Sequence, residues 1–430
     1  MPILPAYRIA TTVLAPFARA ALDWRAKNGK EDPERLSERL GEASLPRPRG
    51  RLVWLHGASL GESLALLPLV ERFIQRRVEV LVTSGTVSSA KLLSARLPAG
   101  AIHQYVPLDA PRFVERFLDH WRPDIVLFAE SELWPNMVSA VRARGAPLIL
   151  VNARISRQSV ERWRRLPGAA RRIFGAVDLC LAQNAENAAR FLGLGAPSVR
   201  VAGNLKFDVP PPPAEASRLA EFNGAVGARP LWLAASTHPG EEEAILDAHR
   251  LIARDTPSVL TVIAPRHRER GAEIAALAEA RGLRAARRSE GGEPRRDTEV
   301  YIADTVGELG LFFRAAGVVF MGKSLLGESL AGGGGQNPIE PAKLGCAVLY
   351  GPGVENFADV YAEFAAAKAA ARVTDAESLA RAAQFLLSEP YRMRKMGRAG
   401  AETVERLGGA ARGVMTAIEP YFAQMAIEGR

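Results

Sequence analysis

From residue 50 onward the chain repeats one pattern: a short apolar, β-branched run, a polar or glycine-containing turn, then a helical stretch. Runs that are apolar at nearly every position suit strands covered on both faces, and strands alternating with helices specify a parallel α/β sheet. The pattern predicts first-half strands at Leu52–Leu55, Glu79–Val82, Asp124–Phe128, Leu148–Val151, Leu179–Leu181 and Val199–Ala202. It restarts with Leu231–Ala234, Val259–Ile263, Glu299–Ile302, Gly317–Met321 and Ala347–Tyr350. Between the two series, Asp208 to Pro213 ends in consecutive prolines, which can neither continue a helix nor serve a central strand, and so reads as a stiff linker. A chain of 430 residues is too long for one ordinary core. The expected architecture is a helical segment over 1–35, a Rossmann-like doubly wound domain over 36–209, a linker over 210–215 and a second Rossmann-like domain over 216–430. The last helices, about Tyr391 to Met425, are candidates to pack back across the hinge.

In such sheets ligands bind beyond the carboxyl ends of the strands. Those ends are unusually polar here: His56 to Glu62, Glu130 to Glu132, Asn152 to Arg154 and Asn204 to Lys206, then Ser236 to His238, Arg266 with His267, Asp304, and Lys323 with Ser324. Both halves are expected to line one cleft. A net charge of +9, from 56 Lys and Arg against 47 Asp and Glu, favours anionic partners. Zinc-finger spacing, an RNP motif and an aromatic-interleaved basic stripe are all missing, so nucleic acid is not expected. No Asp-x-Asp pair or His/Cys cluster suggests a metal site, and metal-independent chemistry is expected. Cys180 and Cys346 lie in apolar runs, which argues against a disulfide framework and for a reducing compartment. No motif speaks to oligomeric state.

The segment Ile3 to Leu22 is interrupted by Arg8, Pro16 and Arg19, too short an apolar run to span a bilayer. Ile9, Val13 and Phe17 at four-residue steps, with Leu14 beside them, form one apolar stripe, suiting either an interfacial anchor or a helix packed on the domain. The stretch Arg154, Arg157, Arg162, Arg164, Arg165, Arg171 and Arg172 reads either as a solvated surface or as a patch facing phosphates or a membrane.

Several motifs carry chemistry. Gly57-Ala58-Ser59-Leu60-Gly61 matches the nucleophile elbow of serine hydrolases, but no Asp and His pair stands out downstream; the other reading is a βα turn with Glu62 at the helix start. Gly317 to Ser324 matches the Walker A string literally, yet Val318 to Met321 reads as the body of a buried strand, leaving Lys323 as an anion contact. Gly332 to Gly335 expose amides before a helix expected to start near Pro338, with Glu340 in its first turn. Glu130 and Glu132 end an apolar strand, where carboxylates call for a partner such as Lys206 or substrate hydroxyls.

Taken together, Trp54 to Glu62, Glu130 to Asn136, Val151 to Arg154, Gly203 to Asp208, Ala235 to His238, Pro265 to His267 and Gln336 to Glu340 closely resemble the 3-deoxy-D-manno-octulosonic acid (Kdo) transferases. These are GT-B glycosyltransferases of Gram-negative lipopolysaccharide synthesis, with two Rossmann-like domains facing across a cleft. The resemblance implies inverting, metal-independent transfer of Kdo from CMP-Kdo to a hydroxyl of the lipid A precursor, with no cofactor, at the cytoplasmic face of the inner membrane. It implies Glu62 as general base and Glu132 and Lys206 as transition-state stabilisers. It assigns Pro265, Arg266, Val306, Gly307, Glu308, Asn337, Pro338, Ile339 and Glu340 to the CMP part, with Ser59, Gly61, Glu130, Ser236, Lys323, Ser324 and Gly335 as further candidates. Departures from the family pattern are Gln336 in place of a usual His, Lys323 in place of a usual Gly, a longer Leu325–Gly335 loop and a shorter N-terminal anchor. There is one tension: a helix N-terminus lowers the pKa of Glu62, whereas a base works best near the operating pH, so burial or a second carboxylate is expected to oppose the helix. Other readings are a nucleotide-sugar transferase or epimerase of the same fold, a serine hydrolase acting through Ser59, and a non-enzymatic polyanion-binding protein.

Overall fold

The computed structural model describes residues 3–325 and 334–427, so most of the loop Leu325–Gly335, with Gly332 and Gly333 of the glycine run, lies outside the described residues. The chain divides into two compact units, residues 1–209 with 407–430, and residues 210–406.

The first unit holds a seven-stranded sheet of β1 (Leu52–Gly57), β2 (Glu79–Ser84), β3 (Ala101–Tyr105), β4 (Ile125–Ala129), β5 (Leu148–Ala153), β6 (Leu179–Ala182) and β7 (Val199–Val201). Its order is β3-β2-β1-β4-β5-β6-β7 and every neighbouring pair is parallel. The chain reverses direction across the sheet between β1 and β4, so the crevice at their carboxyl ends is the topological switch point. β1 and β4 are buried at every position, as expected of central strands covered on both faces. One face packs Trp54, Phe117, Phe128, Met137 and Phe174, and the other packs Leu66, Leu69 and Phe73 with Val414, Met415 and Ile418 of the last helix.

That last helix, Ala410–Ile427, is therefore part of the first unit's core. Asp208 fixes its start by accepting hydrogen bonds from the Gly409 and Ala411 amides. The preceding helix, Pro390–Leu407, packs within the second unit, where Gly397 lies against the backbone of Gly345. The segment grouped with the first unit thus begins at Leu407, later than the Tyr391 expected from sequence.

The second unit repeats the plan with β8 (Leu231–Thr237), β9 (Leu260–Pro265), β10 (Ala285–Arg287), β11 (Val300–Ile302), β12 (Val318–Met321), β13 (Ala347–Tyr350) and β14 (Ala370–Arg372), in the parallel order β10-β11-β9-β8-β12-β13-β14. Its switch point lies between β8 and β12. Residues 210–215 form no regular element, and the Pro212 carbonyl accepts from Arg314 at 2.7 Å. The molecule thus has the two Rossmann-like units of the GT-B fold. Both cysteines are buried free thiols.

Ile3–Leu14, Ala15–Phe17 and Ala18–Lys27 form the N-terminal helical segment. Leu22, Ala15 and Ala18 are buried, and the Tyr7 hydroxyl donates to Asp109 at 3.0 Å. The opposite stripe, Ile9, Val13 and Phe17, is 64%, 63% and 68% exposed. The segment therefore packs on the domain through one face and leaves the other apolar face open. No described helix is long and apolar enough to cross a membrane.

Candidate functional site

Four of the seven described non-glycine residues with positive φ, namely Glu130, Asn152, Ser236 and Lys323, sit at the carboxyl ends of central strands. Such backbone is costly for residues with a side chain and persists where the surroundings enforce it, so it marks both strand-end regions as sites.

In the first unit the turn after β1 leads into the helix Leu60–Gln75, with Ser59 as its N-cap. The Glu62 amide donates to Ser59 Oγ at 3.3 Å, while the Ser59 hydroxyl donates to Glu62 Oε1 at 2.6 Å and the Ala58 amide to Glu62 Oε2 at 2.9 Å. Both carboxylate oxygens are thus fixed by the turn that begins the helix. A Cβ at Gly57 would come 3.0 Å from the Glu62 and Ser63 backbone, a tight approach that favours glycine here. Gly61 has open space around it, so no steric demand holds a glycine there.

Burial pushes the Glu62 carboxyl up to about 7; the negative charges of Glu130 and Glu132 add to this, and the bonds from Ser59 and Ala58 only partly offset it. Burial and neighbouring carboxylates thus outweigh the hydrogen bonds that the turn donates to this carboxylate. Glu132 is also raised, first by burial and then by Glu130, against the 3.1 Å bond it accepts from the Trp134 indole. Lys206 Nζ donates to Glu130 Oε1 at 3.2 Å, so this carboxylate has the cationic partner that its position requires. Strand alternation does not set the two carboxylates' directions, because Glu130 leaves β4 in a left-handed conformation. Asn152 holds the Lys206 turn by accepting from the Leu205 amide at 3.0 Å. Neither carboxylate caps the following helix, Pro135–Ala143; Asp109 does, accepting from the Asn136 and Met137 amides at 3.1 and 2.9 Å. The structure therefore brings Ser59, Glu62, Glu130, Glu132 and Lys206 together. No described histidine bonds Ser59; the buried His56 ring faces Thr83 instead, which removes the base an elbow serine would need.

In the second unit a cavity of about 270 Å³ is lined by Ser236, Pro265, Arg266, His267, Val306 and Gly307, among others. All six are expected from the sequence at three separate strand ends, His267 by its strand-end position and the other five as site candidates. Glu308 stands apart: its carboxylate accepts from Arg288, Arg218 and Thr305, and the Arg288 guanidinium first among them holds it at about 2. What it offers is support for the Val306–Gly307 turn. Asn337 uses its side-chain oxygen to accept from the Ile339 amide at 3.1 Å, opening the short helix Ile339–Lys343 that carries Glu340 in its first turn. Pro338 and Ile339 are buried.

Ser324 is buried too, its hydroxyl donating to the Met321 carbonyl and accepting from the Gly351 amide at 2.8 Å, so it is a structural residue of the loop. Gly335 has φ 87 and a Cβ there would lie 2.9 Å from Val354 Cα, a close approach that only glycine permits. One residue that sequence reading missed is Glu241. Fully buried, its carboxylate accepts from the Lys323, Ser324 and Leu325 amides at 2.6, 2.8 and 3.0 Å, and from the His238 amide at 3.0 Å. Consecutive amides of this kind make an anion nest, so the Walker-like string folds around an internal carboxylate after a buried strand. Three successive glutamates at a helix start read as ordinary dipole partners, which hid the role. Among the described residues no group of three or more His, Cys, Asp or Glu is arranged to hold a metal ion.

Residues 34–209 match the family described as 3-Deoxy-D-manno-octulosonic-acid transferase (kdotransferase). The chain is 37% identical over 431 residues to the 3-deoxy-D-manno-octulosonic acid transferase of Bordetella pertussis, covering 97% of this chain and 99% of that one. With its counterpart from Haemophilus influenzae it shares 30% identity over 398 residues, 90% of this chain and 92% of that one. Among solved structures, UDP-GlcNAc 2-epimerase from Neisseria meningitidis bound to UDP-GlcNAc is similar with a TM-score of 0.58 over 86% of this chain and 100% of that one; at 14% identity this is a likeness of fold.

Proposed function

The chain belongs to the 3-deoxy-D-manno-octulosonic acid transferase family, and from that premise we propose that it moves Kdo from CMP-Kdo to a hydroxyl of a lipid A precursor, with inversion and without a metal. The observation that carries the mechanism is Glu62: a carboxylate pinned by Ser59 and Ala58 yet raised to about 7, which suits it to take a proton at neutral pH. As the acceptor oxygen bonds to the anomeric carbon, its proton passes to Glu62. The bond from that carbon to the CMP phosphate oxygen breaks on the opposite face, and its electron pair leaves with CMP. Glu132 and Lys206 supply opposite charges to a transition state in which positive charge develops on the sugar ring and negative charge on the leaving phosphate.

The nucleotide is assigned to the second unit's cavity, where Arg266 offers positive charge and Pro265, Val306 and Gly307 offer backbone and apolar wall. Asn337, which opens the short helix, and Glu340 in its first turn are assigned to the same nucleotide by the family resemblance. The exposed Ile9, Val13, Leu14 and Phe17, flanked by Arg8 and Arg19, support seating the N-terminal segment on the cytoplasmic face of the inner membrane, beside a lipid acceptor. The test is mass spectrometry of a tetraacylated lipid A precursor incubated with the protein and freshly generated CMP-Kdo, beside a Glu62→Ala control. Addition of one or more Kdo units by the wild type alone is expected; no addition by folded wild-type protein withdraws the Kdo assignment.

A further inference from the structure

The cations at the strand ends of the second unit differ in their partners. Arg270, Arg287 and Arg288 are each neutralised by a carboxylate, from Glu242, Asp304 and Glu308. Arg266 and Lys323, like Arg268 on the cavity wall, have no such partner among the described residues. Lys323 directly follows Gly322, where a Cβ would come 2.6 Å from the carbonyl oxygen of Ser236, and Ser236 and Arg266 both line the cavity; Lys323 and Arg266 also act, with His267, to push the His238 ring towards its neutral form, behind the larger effect of burial. Unpaired like charges in a partly desolvated crevice repel one another, and an anion in their midst reverses the sign of that interaction.

The backbone of Lys323 adds an independent observation. It turns with φ 55, a conformation that glycine adopts freely and a lysine does not. Its amide is held by Glu241, and its carbonyl accepts from the Gly335 amide at 2.5 Å. Both peptide groups are committed and the residue is half-buried, so the ammonium is the part of Lys323 left to interact with a ligand. Strain of this kind persists at positions fixed by their surroundings, typically where a side chain must be presented.

We propose that Lys323 is a specificity residue for the donor, its ammonium pairing with the phosphate of the cytidine nucleotide beside Arg266. This rests on the nucleotide-donor reading above. The test uses the full chain and two probes, CMP and cytidine, titrated calorimetrically into wild type, Lys323→Gly and Lys323→Gln. Glycine keeps the left-handed turn and removes the side chain; glutamine keeps side-chain length and removes the charge. CMP binding is expected to weaken about tenfold in both variants, with cytidine binding unchanged and the salt dependence of CMP binding shallower. Equal CMP affinity in all three proteins overturns the proposal. So does parallel weakening of CMP and cytidine, which would make the turn's shape the cause. If wild type binds neither probe, the nucleotide-donor reading fails first and this assignment falls with it.

Discussion

Replacing Ser59 by alanine separates the roles open to the turn after β1. The serine hydroxyl donates to Glu62 Oε1 at 2.6 Å and lowers the carboxyl's pKa against the upward push of burial. A hydrogen bond to a charged group contributes about 1.5–3 kcal/mol. Ser59 is exposed, so water recovers part of the loss, leaving about 1 kcal/mol, which at 1.36 kcal/mol per pH unit raises the carboxyl by roughly 0.7. As the proposed base, Glu62 can take a proton only when ionised, and ionisation grows as pH rises through about 7. kcat/KM of the wild type should therefore climb through about pH 7, and that of Ser59→Ala through the upper sevens. The variant should be roughly fourfold slower near pH 6.5 and nearly equal to the wild type above pH 9, by the same titration arithmetic. The assay is initial-rate Kdo transfer across that range, with circular dichroism at each pH because losing the N-cap costs about 1 kcal/mol of stability. An unmoved midpoint with a uniform drop in rate would refute the coupling between Ser59 and the base. Complete loss at every pH would instead favour Ser59 as a nucleophile.

Two further outcomes bear on the second unit. Glu241→Gln turns one of two acceptor oxygens into a donor facing backbone amides, so the loop at Lys323 should loosen and KM for the donor rise about tenfold or more while kcat changes less, a split measured by steady-state kinetics. Gly397→Ala drives a Cβ into the Gly345 carbonyl oxygen, so despite alanine's better helix propensity the variant should lose about 1–3 kcal/mol in urea unfolding; unchanged stability would mean that the two backbones can part there.

Most strands were legible because central strands of a parallel sheet are apolar throughout and bounded by turns. Those that escaped notice are edge-lying. β3 reads Ala-Ile-His-Gln-Tyr, and its polar residues find buried partners only in the fold: His103 with Ser84, and Gln104 with the Trp121 indole. β10 and β14 are three residues each, both Ala-Ala-Arg, too short to show a period. The candidate residues were legible by strand-end position and by resemblance. Their division of labour was not, because it depends on contacts distant in sequence. Glu130 meets Lys206 across 76 residues, and Glu241 meets Ser324 across 83. Nothing local separates Glu241 from Glu242, yet one shapes a loop of amides while the other pairs with Arg270.

The last helix completes the first unit's core, with Asp208 holding its start, so that unit is assembled from two stretches of chain that enclose the second unit between them. During synthesis the second unit leaves the ribosome as one uninterrupted stretch and can close its sheet as soon as it emerges. The first unit, although begun earlier, waits with the cluster of Leu66, Leu69 and Phe73 incomplete until Val414, Met415 and Ile418 arrive. The part of its apolar face that the last helix covers stays open until the end of translation, and chaperone dependence should concentrate there.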